Sequence, residues 1–206
     1  MQLFTACGPE GLNRIASLGS GIFLDLKFHD IPNTVAGAVR AAVELPKLSF
    51  LNVHALGGLE MMRAAAEARG AKPGAPKLLG VTVLTSMDAQ AVRAVGISGT
   101  PGAEVLRLAK LVKRAGLDGV VASTHEVKNL RKTFGKDFVL MVGGVRPIRA
   151  SGKRPNDDQA RIATPAEAIG AGADYLIVGR PINAAPDPVA AAKAILKEIA
   201  EAEVSR

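Results

Sequence analysis

The chain has 206 residues, a formal net charge of +7 and 48% apolar residues. This length and composition suit a single domain over residues 1–206 with a sizeable core, and they exclude a disordered chain. Cys7 is the only cysteine, which excludes an intrachain disulfide and favours a reducing, cytoplasmic location. No uncharged apolar run approaches the roughly 18 residues of a membrane span, and aromatic residues are few, so neither a membrane nor a nucleic-acid partner is expected.

Short apolar runs and helical stripes alternate along the chain. Six runs predict buried strands, at about residues 21–26, 49–54, 77–83, 118–122, 137–142 and 174–178. Between them, the apolar spacing predicts helices at about residues 9–18, 32–43, 58–69, 101–115 and 124–134, with two more starting at Thr164 and Asp187. The last helix is expected to face inward through Val189, Ala192, Ile195, Leu196 and Ile199.

This alternation predicts a parallel sheet covered by helices. Polar residues and glycines follow several strands, where barrel and open-sheet enzymes both carry their sites. An open six-stranded sheet fits the pattern, and so does an eight-stranded barrel whose first two strands lie upstream of Met1. A loop of about twenty residues ends at Thr164, and such a loop is typical of a functional lid or a disordered segment.

Three charged residues, Asp25, Lys27 and Asp30, come at the end of the first predicted strand. Alternation along a strand places Asp25 and Lys27 on the same side, where the carboxylate would keep the ammonium charged and positioned, as a general acid requires. An ion pair that closes the strand, with Asp30 capping the helix that begins near Pro32, explains the same residues equally well.

Glycines and arginines after the last two strands suggest a phosphate site. Gly179 and Arg180 follow the last strand, and Gly143-Gly144-Val145-Arg146 follows the strand before it. A backbone N–H beside an arginine at a strand end suits a phosphate group, although Arg180 alone could be a surface arginine after a turn.

The remaining candidates carry weaker signals. The three histidines, His29, His54 and His125, lack metal-ligand spacing, so no metal site is expected, and His54 is more typical of a core histidine. Cys7 is expected to be a small buried hydrophobe. Thr85-Ser86 could bind a ligand at a strand end or cap a local turn.

The segment Phe23-Leu-Asp25-Leu-Lys27-Phe-His-Asp30-Ile-Pro-Asn-Thr34 closely resembles the signature of the orotidine 5′-phosphate decarboxylases. The resemblance continues in order through Asn52-Val-His54, Val83-Leu-Thr85-Ser86, Leu117-Asp-Gly-Val-Val121, Gly144-Val-Arg146-Pro147, Asp158-Gln159 and Ala173-Asp-Tyr-Leu-Ile-Val-Gly179-Arg180-Pro181. It implies a (β/α)8 TIM barrel and a homodimer with its active sites at the interface. The implied reaction is decarboxylation of orotidine 5′-monophosphate to uridine 5′-monophosphate, the last step of de novo UMP biosynthesis, with neither a metal nor an organic cofactor.

The resemblance also implies roles for individual residues. Lys27 would protonate C6 of the pyrimidine as the carboxylate departs, and Asp25 would lie against the substrate carboxylate. Asp30, accompanied by Ile31 and Thr34, would reach into the site of the neighbouring subunit. Substrate contacts implied on the pyrimidine and phosphate sides come from Thr85, Ser86, Arg146, Gln159, Gly179 and Arg180.

The chain departs from the family pattern in two places. Val142-Gly143-Gly144 stands where the family usually has Thr-Pro-Gly, which is expected only to loosen a turn. The segment Met1 to Pro9 resembles the stretch that follows the family's second strand. We therefore expect a truncated chain or a misplaced start, with about six βα units left and without one catalytic lysine and a ribose-binding aspartate.

Two other functions remain in view. An Mg²⁺-dependent sugar-phosphate decarboxylase or aldolase of the same barrel suprafamily would share the Asp-x-Lys-x-x-Asp core, although the continuation His29 to Thr34 argues against it. A non-catalytic fragment that persists by dimerising or by binding a partner is the second alternative.

Overall fold

A computed structural model describes residues 1–147 and 163–204. Strands and helices alternate along this part of the chain, as predicted. The strands are β1 (Ile22–Phe28), β2 (Leu48–His54), β3 (Lys77–Val81), β4 (Gly119–Ser123), β5 (Val139–Gly143) and β6 (Tyr175–Leu176). The helices are α1 (Gln2–Ala16), α2 (Pro32–Val43), α3 (Gly58–Arg69), α4 (Ala89–Ala94), α5 (Pro101–Arg114), α6 (Thr124–Phe134), α7 (Pro165–Ala171), α8 (Arg180–Asn183) and α9 (Pro188–Val204). None of these helices is long and apolar enough to cross a membrane.

Most predicted boundaries lie within two residues of the observed ones. Helix α1 is the exception, because it begins at Gln2 and continues across a kink at Gly8, whose φ is 59°. The short helices α4 and α8 were not predicted, although Asp88 caps α4 by accepting a hydrogen bond from the Ala91 N–H at 2.8 Å.

The described chain forms two compact units, and unit 1 comprises Met1–Thr82 and Leu108–Gly119. Its strands lie in the order β1-β2-β3 and pair in parallel. The core of unit 1 includes fully buried residues from β2, β3, α2 and α3, namely Leu51, Val53, Leu78, Leu79, Val39, Met62 and Ala65. A Cβ atom on Gly80 would collide with the Val112 side chain, so this glycine lets α5 approach β3 closely.

Unit 2 comprises Val83–Arg107 and the described part of Val120–Arg206. Its strands lie in the order β4-β5-β6, and β6 pairs with β5 in parallel. Strand β6 has only two residues, but hydrogen bonds to β5 continue on both sides of it. The Asp174 N–H donates to the Leu140 carbonyl at 2.9 Å, and the Ile177 N–H donates to the Val142 carbonyl at 2.7 Å. The expected strand at 174–178 is therefore paired over most of its length.

The predicted orientation of the last helix is partly wrong. Ile195 of α9 is buried, as expected, but the side chains of Val189 and Leu196 are 64% and 63% exposed. Residues seven positions apart share one side of a helix. Ala192 and Ile199 are half-buried, so only part of the predicted apolar stripe is covered by the rest of the chain.

A similar arrangement of an arginine and an aspartate, which we call the Arg–Asp clamp, is found in each unit. In unit 1, Asp118 Oδ2 accepts from the Leu78 N–H at 2.7 Å and lies 3.3 Å from Arg69 Nη1. In unit 2, Asp174 Oδ2 accepts from the Leu140 N–H at 2.8 Å and from Arg131 Nη2 at 2.6 Å. Each clamp ties the start of one strand to the residue that precedes the next strand, although the sequence shows no repeat of fixed period.

Candidate active site

The end of β1 contains a bulge. Leu24 lies opposite Leu51 of β2 and Phe28 lies opposite Val53, so the three residues 25–27 face Asn52 alone. Within the bulge, Lys27 has a φ of 56°, in the left-handed region that residues other than glycine rarely adopt. Such a conformation costs on the order of 1–3 kcal/mol and persists only where neighbouring contacts hold it.

The bulge brings the predicted catalytic pair together. Lys27 Nζ donates a hydrogen bond to Asp25 Oδ1 at 2.7 Å, which confirms that the two side chains lie side by side. The reason given for their proximity was wrong, however. Regular alternation does not hold between Asp25 and Lys27, and the left-handed backbone at Lys27 is part of what sets the direction of its side chain.

Asn52 completes this cluster, and sequence reasoning assigned it no role. Its side chain is fully buried, its Oδ1 accepts from the Lys27 backbone N–H at 2.8 Å, and its Nδ2 donates to Asp25 Oδ1 at 2.7 Å. A lone amide within the buried run from Phe50 to Val53 was the available signal, because a buried amide needs hydrogen-bond partners.

The Asp25–Lys27 ion pair contributes little to stability. The Lys27 and Asp25 side chains are 30% and 36% exposed, so water screens their attraction, and such pairs contribute about 0–1 kcal/mol. The alternative in which this ion pair only closes the strand explains the site poorly, because a weak ion pair would not compensate for the strained backbone at Lys27. The arrangement instead holds an ammonium group and a carboxylate in a fixed geometry, still accessible to a ligand, which suits proton transfer and charge stabilisation.

Two histidines lie beside this cluster. The rings of His29 and His54 stack with their centroids 5.4 Å apart, and His54 Nδ1 accepts a hydrogen bond from the Leu56 N–H at 3.3 Å. Burial is the largest cause, and electrostatic interactions with His29 and Lys27 add to it, so that the pKa of His54 is lowered to about 4. His54 is therefore neutral at pH 7 and adds no positive charge next to Lys27.

Asp30, Ile31 and Thr34 lie at the start of α2 and are all exposed. Asp30 Oδ1 accepts from the Ile31 N–H at 2.6 Å. The N-cap of α2 is Ile31, and no side chain caps this helix, so the alternative in which Asp30 caps α2 is wrong. Its carboxylate lies just outside the helix, on an exposed edge of unit 1.

The candidate phosphate-side residues belong to unit 2. Thr85 is half-buried beside Gly143, at the end of β5, whereas Ser86 is exposed. Arg146 pairs through its backbone N–H with the Ala163 carbonyl at 2.8 Å. Gly179 and Arg180 are exposed, and Gly179 is the N-cap of α8. Gln159 lies outside the described residues.

Neither Cys7 nor the histidines form a metal centre in the described structure. Within residues 1–147 and 163–204, no three His, Cys, Asp or Glu side chains come together as a possible metal site. Cys7 is exposed in α1, so the expectation that it is a buried hydrophobe is wrong. One turn of the helix separates it from Gly11, where a Cβ atom would collide with the Cys7 side chain.

Comparison with known proteins identifies the family. Residues 1–195 match the model of the family described as orotidine 5′-phosphate decarboxylase / HUMPS. The chain belongs to this family. Among its relatives, the orotidine 5′-phosphate decarboxylase of Nitrosococcus oceani is 54% identical over 198 residues, which are 96% of this chain and 83% of that protein. The corresponding enzyme of Anaeromyxobacter dehalogenans is 54% identical over 195 residues, 95% of this chain and 82% of that protein.

Solved structures of the family have the same fold. The crystal structure of orotidine 5′-phosphate decarboxylase from Lactobacillus acidophilus superposes with a TM-score of 0.82 at 40% identity, covering 97% of this chain and 84% of that one. The family match confirms the resemblance noted in the sequence, and the superposition confirms the predicted α/β architecture.

Proposed function

We propose that this chain decarboxylates orotidine 5′-monophosphate to uridine 5′-monophosphate without a cofactor. The observation that carries the proposal is the contact of 2.7 Å between Lys27 Nζ and Asp25 Oδ1, formed in a strained bulge within the segment most typical of the family. Relatives that are 54% identical and bear this enzyme's name support the same activity. The cytoplasmic location expected from the single cysteine stays a prediction.

In the proposed reaction, the bond between C6 and the carboxylate breaks and CO2 leaves. The bonding electron pair stays at C6, and Lys27 Nζ donates a proton there to form the product. Asp25, against the departing carboxylate, disfavours the charged substrate more than a transition state in which that charge is leaving. Catalysis then rests on preorganised charges, which act without reorganisation at the moment of reaction.

We propose that Gly179 and Arg180 bind the phosphate group of the substrate. Gly179 is the N-cap of α8 and Arg180 follows it in the chain, so a backbone N–H and a guanidinium, which both favour an anionic ligand, come from neighbouring residues. Arg146 and Gln159 would contribute further phosphate contacts, and Thr85 and Ser86 would contact the pyrimidine. A phosphate held far from C6 supplies binding energy that offsets crowding at the reacting carbon.

We further propose a homodimer in which Asp30, Ile31 and Thr34 enter the partner's site. The exposure of all three residues, including 67% for the apolar Ile31, supports this assignment. We also propose that these strands and helices belong to a (β/α)8 barrel, on the support of the strand–helix alternation and the likeness to the Lactobacillus acidophilus enzyme.

An assay of the purified chain with orotidine 5′-monophosphate, followed by ultraviolet absorbance, tests the proposed reaction. We expect turnover that survives a metal chelator and a loss of roughly 10²–10⁴-fold in kcat/KM in Lys27→Ala, the usual contribution of a positioned proton donor. Lys47→Ala is the matched control, because Lys47 is an exposed lysine of the same unit with a φ of 57° and should retain full activity.

Other outcomes of this assay would favour the alternatives. Loss of activity in the chelator, restored by Mg²⁺, would favour a sugar-phosphate enzyme of the same suprafamily. No turnover of orotidine 5′-monophosphate by the folded wild-type chain would favour the non-catalytic fragment.

A further inference from the structure

We propose that Asn52 is a positioning residue for the decarboxylation, acting by holding both Asp25 and the backbone of Lys27. This inference rests on the proposed function. Asn52 is placed to act through its neighbours, since both of its hydrogen bonds end on the catalytic pair.

Burial makes the Asn52 amide dependent on these two bonds. Asn52 is 0% exposed, as are its strand neighbours Leu51 and Val53. An unpaired buried amide costs about 1–3 kcal/mol by protein mutational data, so both ends of this side chain need partners. One orientation of the amide satisfies both contacts, with Oδ1 accepting from a backbone N–H and Nδ2 donating to a carboxylate.

The bulge explains why a side chain is needed at this point. In a regular parallel ladder, the Lys27 N–H would donate to a backbone carbonyl of the adjacent strand. The bulge interrupts that ladder between Leu24 and Phe28, and the Asn52 side chain accepts the Lys27 N–H instead. This bond offsets part of the cost of the left-handed backbone at Lys27. Without it, we expect residue 27 to relax toward an extended conformation and its side chain to change direction.

The second bond of Asn52 fixes the carboxylate. Asp25 Oδ1 accepts from both Asn52 Nδ2 and Lys27 Nζ, each at 2.7 Å. Asp25 Oδ2 takes no hydrogen bond from the part of the chain that the structure describes. Two donors on the same oxygen prevent rotation of the carboxylate and leave the other oxygen for the substrate side.

Kinetics of Asn52→Ala measure the positioning effect. We expect kcat to fall by about 30- to 100-fold, the scale of loss that small misplacements of reacting groups produce, while KM changes by less than about threefold. Val53→Ala is the matched control, because it removes a fully buried side chain from the same strand without touching the cluster. If Asn52→Ala and Val53→Ala have equal kcat values, the inference is overturned.

Amide hydrogen exchange at Lys27, measured by NMR, gives a readout that needs no turnover. The Lys27 amide should be protected in the wild-type chain and in Val53→Ala, and exposed in Asn52→Ala. Asn52→Asp keeps the acceptor for this amide but loses the donor to Asp25, so it should keep the protection and still lower kcat. Equal protection in Asn52→Ala and in the wild-type chain would overturn the inference.

The two readouts separate this inference from the function on which it rests. An inactive wild-type chain would refute the proposed function, and the exchange data alone would then decide whether Asn52 holds the bulge. An active wild-type chain with an inactive Lys27→Ala and a fully active Asn52→Ala would keep the function and overturn the role of Asn52.

Discussion

Lys27 and Lys47 are the two residues other than glycine with positive φ in the described parts of the chain. Lys47 lies in the turn before β2, and its carbonyl accepts the Ile22 N–H at 2.8 Å, a setting in which a left-handed residue is common. Lys27 lies within a sheet, where its conformation needs the side chain of Asn52 to support it. The two lysines thus share a backbone conformation and differ in what holds it.

His54 should make the stability of the chain depend on acid pH. The His54 ring of the folded chain has a pKa of about 4 and stays neutral above it, whereas in the unfolded chain the ring takes up a proton near the ordinary histidine pKa of 6.5. The unfolded state therefore binds more protons as the pH falls, which lowers the free energy of unfolding. We expect a loss of roughly 1–2 kcal/mol between pH 7 and pH 4, after allowance for solvent screening of this half-buried ring.

Denaturant unfolding at several pH values measures this loss. His54→Asn keeps an acceptor near the Leu56 N–H and removes the titrating ring, so its stability should fall less steeply in acid. The exposed His125 provides the control, since His125→Asn should retain the wild-type slope. An unchanged acid slope in His54→Asn would contradict the prediction.

At the scale of single residues, sequence reasoning identified the charges but not what holds them. The contact between Asp25 and Lys27 was predicted, but from a regular alternation that does not hold within the bulge of β1. The role of Asn52 depends on the register of β1 against β2, which two separate apolar runs do not specify. The orientation of Asp30 depends on a single local hydrogen bond, and the helix cap predicted for it does not form.

At the scale of structural elements, the Arg–Asp clamp of unit 2 joins several segments through one guanidinium group. Besides Asp174, the Arg131 guanidinium donates to the carbonyls of Gly135, Phe138 and Gly172 at distances between 2.6 and 3.1 Å. Its side chain is only 14% exposed. These bonds join α6, the start of β5 and the turn after α7, so one arginine fixes three segments.

Replacing this arginine should destabilise the chain. We expect Arg131→Met to lower the free energy of unfolding by about 3–5 kcal/mol, because the aspartate and three carbonyls lose their common donor. Denaturant unfolding followed by circular dichroism measures the change. Lys132→Met, at an exposed position of the same helix, should stay within about 0.5 kcal/mol of the wild-type chain. Equal stability of the two variants would refute the importance of the clamp.

The strands and helices were largely predictable, because a buried parallel strand appears in the sequence as a short apolar run and an amphipathic helix as apolar residues at helical spacing. Capping residues added accurate helix starts, as at Thr164, whose side chain accepts from the Glu167 N–H at 3.1 Å. The failures lie where burial depends on distant partners. The stripe of α9 contains Leu196, but which apolar residues of a stripe are covered depends on the neighbours of the helix.

At the scale of the whole molecule, the proposed homodimer makes a quantitative prediction about mixed subunits. Lys27→Ala and Asp30→Ala should each be nearly inactive alone. If each site takes Lys27 from one subunit and Asp30 from its partner, a mixed dimer contains one site with both residues. Random re-association of equal amounts should then restore about a quarter of the wild-type activity, as two-fold symmetry requires.

Activity measured after dissociating and re-associating the mixture tests this sharing. The control is the same mixture without dissociation, which should stay inactive until the subunits exchange. Mixtures that remain inactive after complete exchange, with the dimer confirmed by sedimentation, would show that Asp30 and Lys27 act within the same subunit.

The left-handed backbone conformation of Lys27 also means that stability and activity favour different residues at this position. Glycine adopts a φ near 56° without strain, and asparagine tolerates it better than most residues. A chain selected only for thermal resistance would therefore replace Lys27, and would lose the proposed proton donor in doing so. Computational redesign of this enzyme for stability must leave residue 27 unchanged, because the backbone strain that such redesign removes is part of what directs the Lys27 ammonium group.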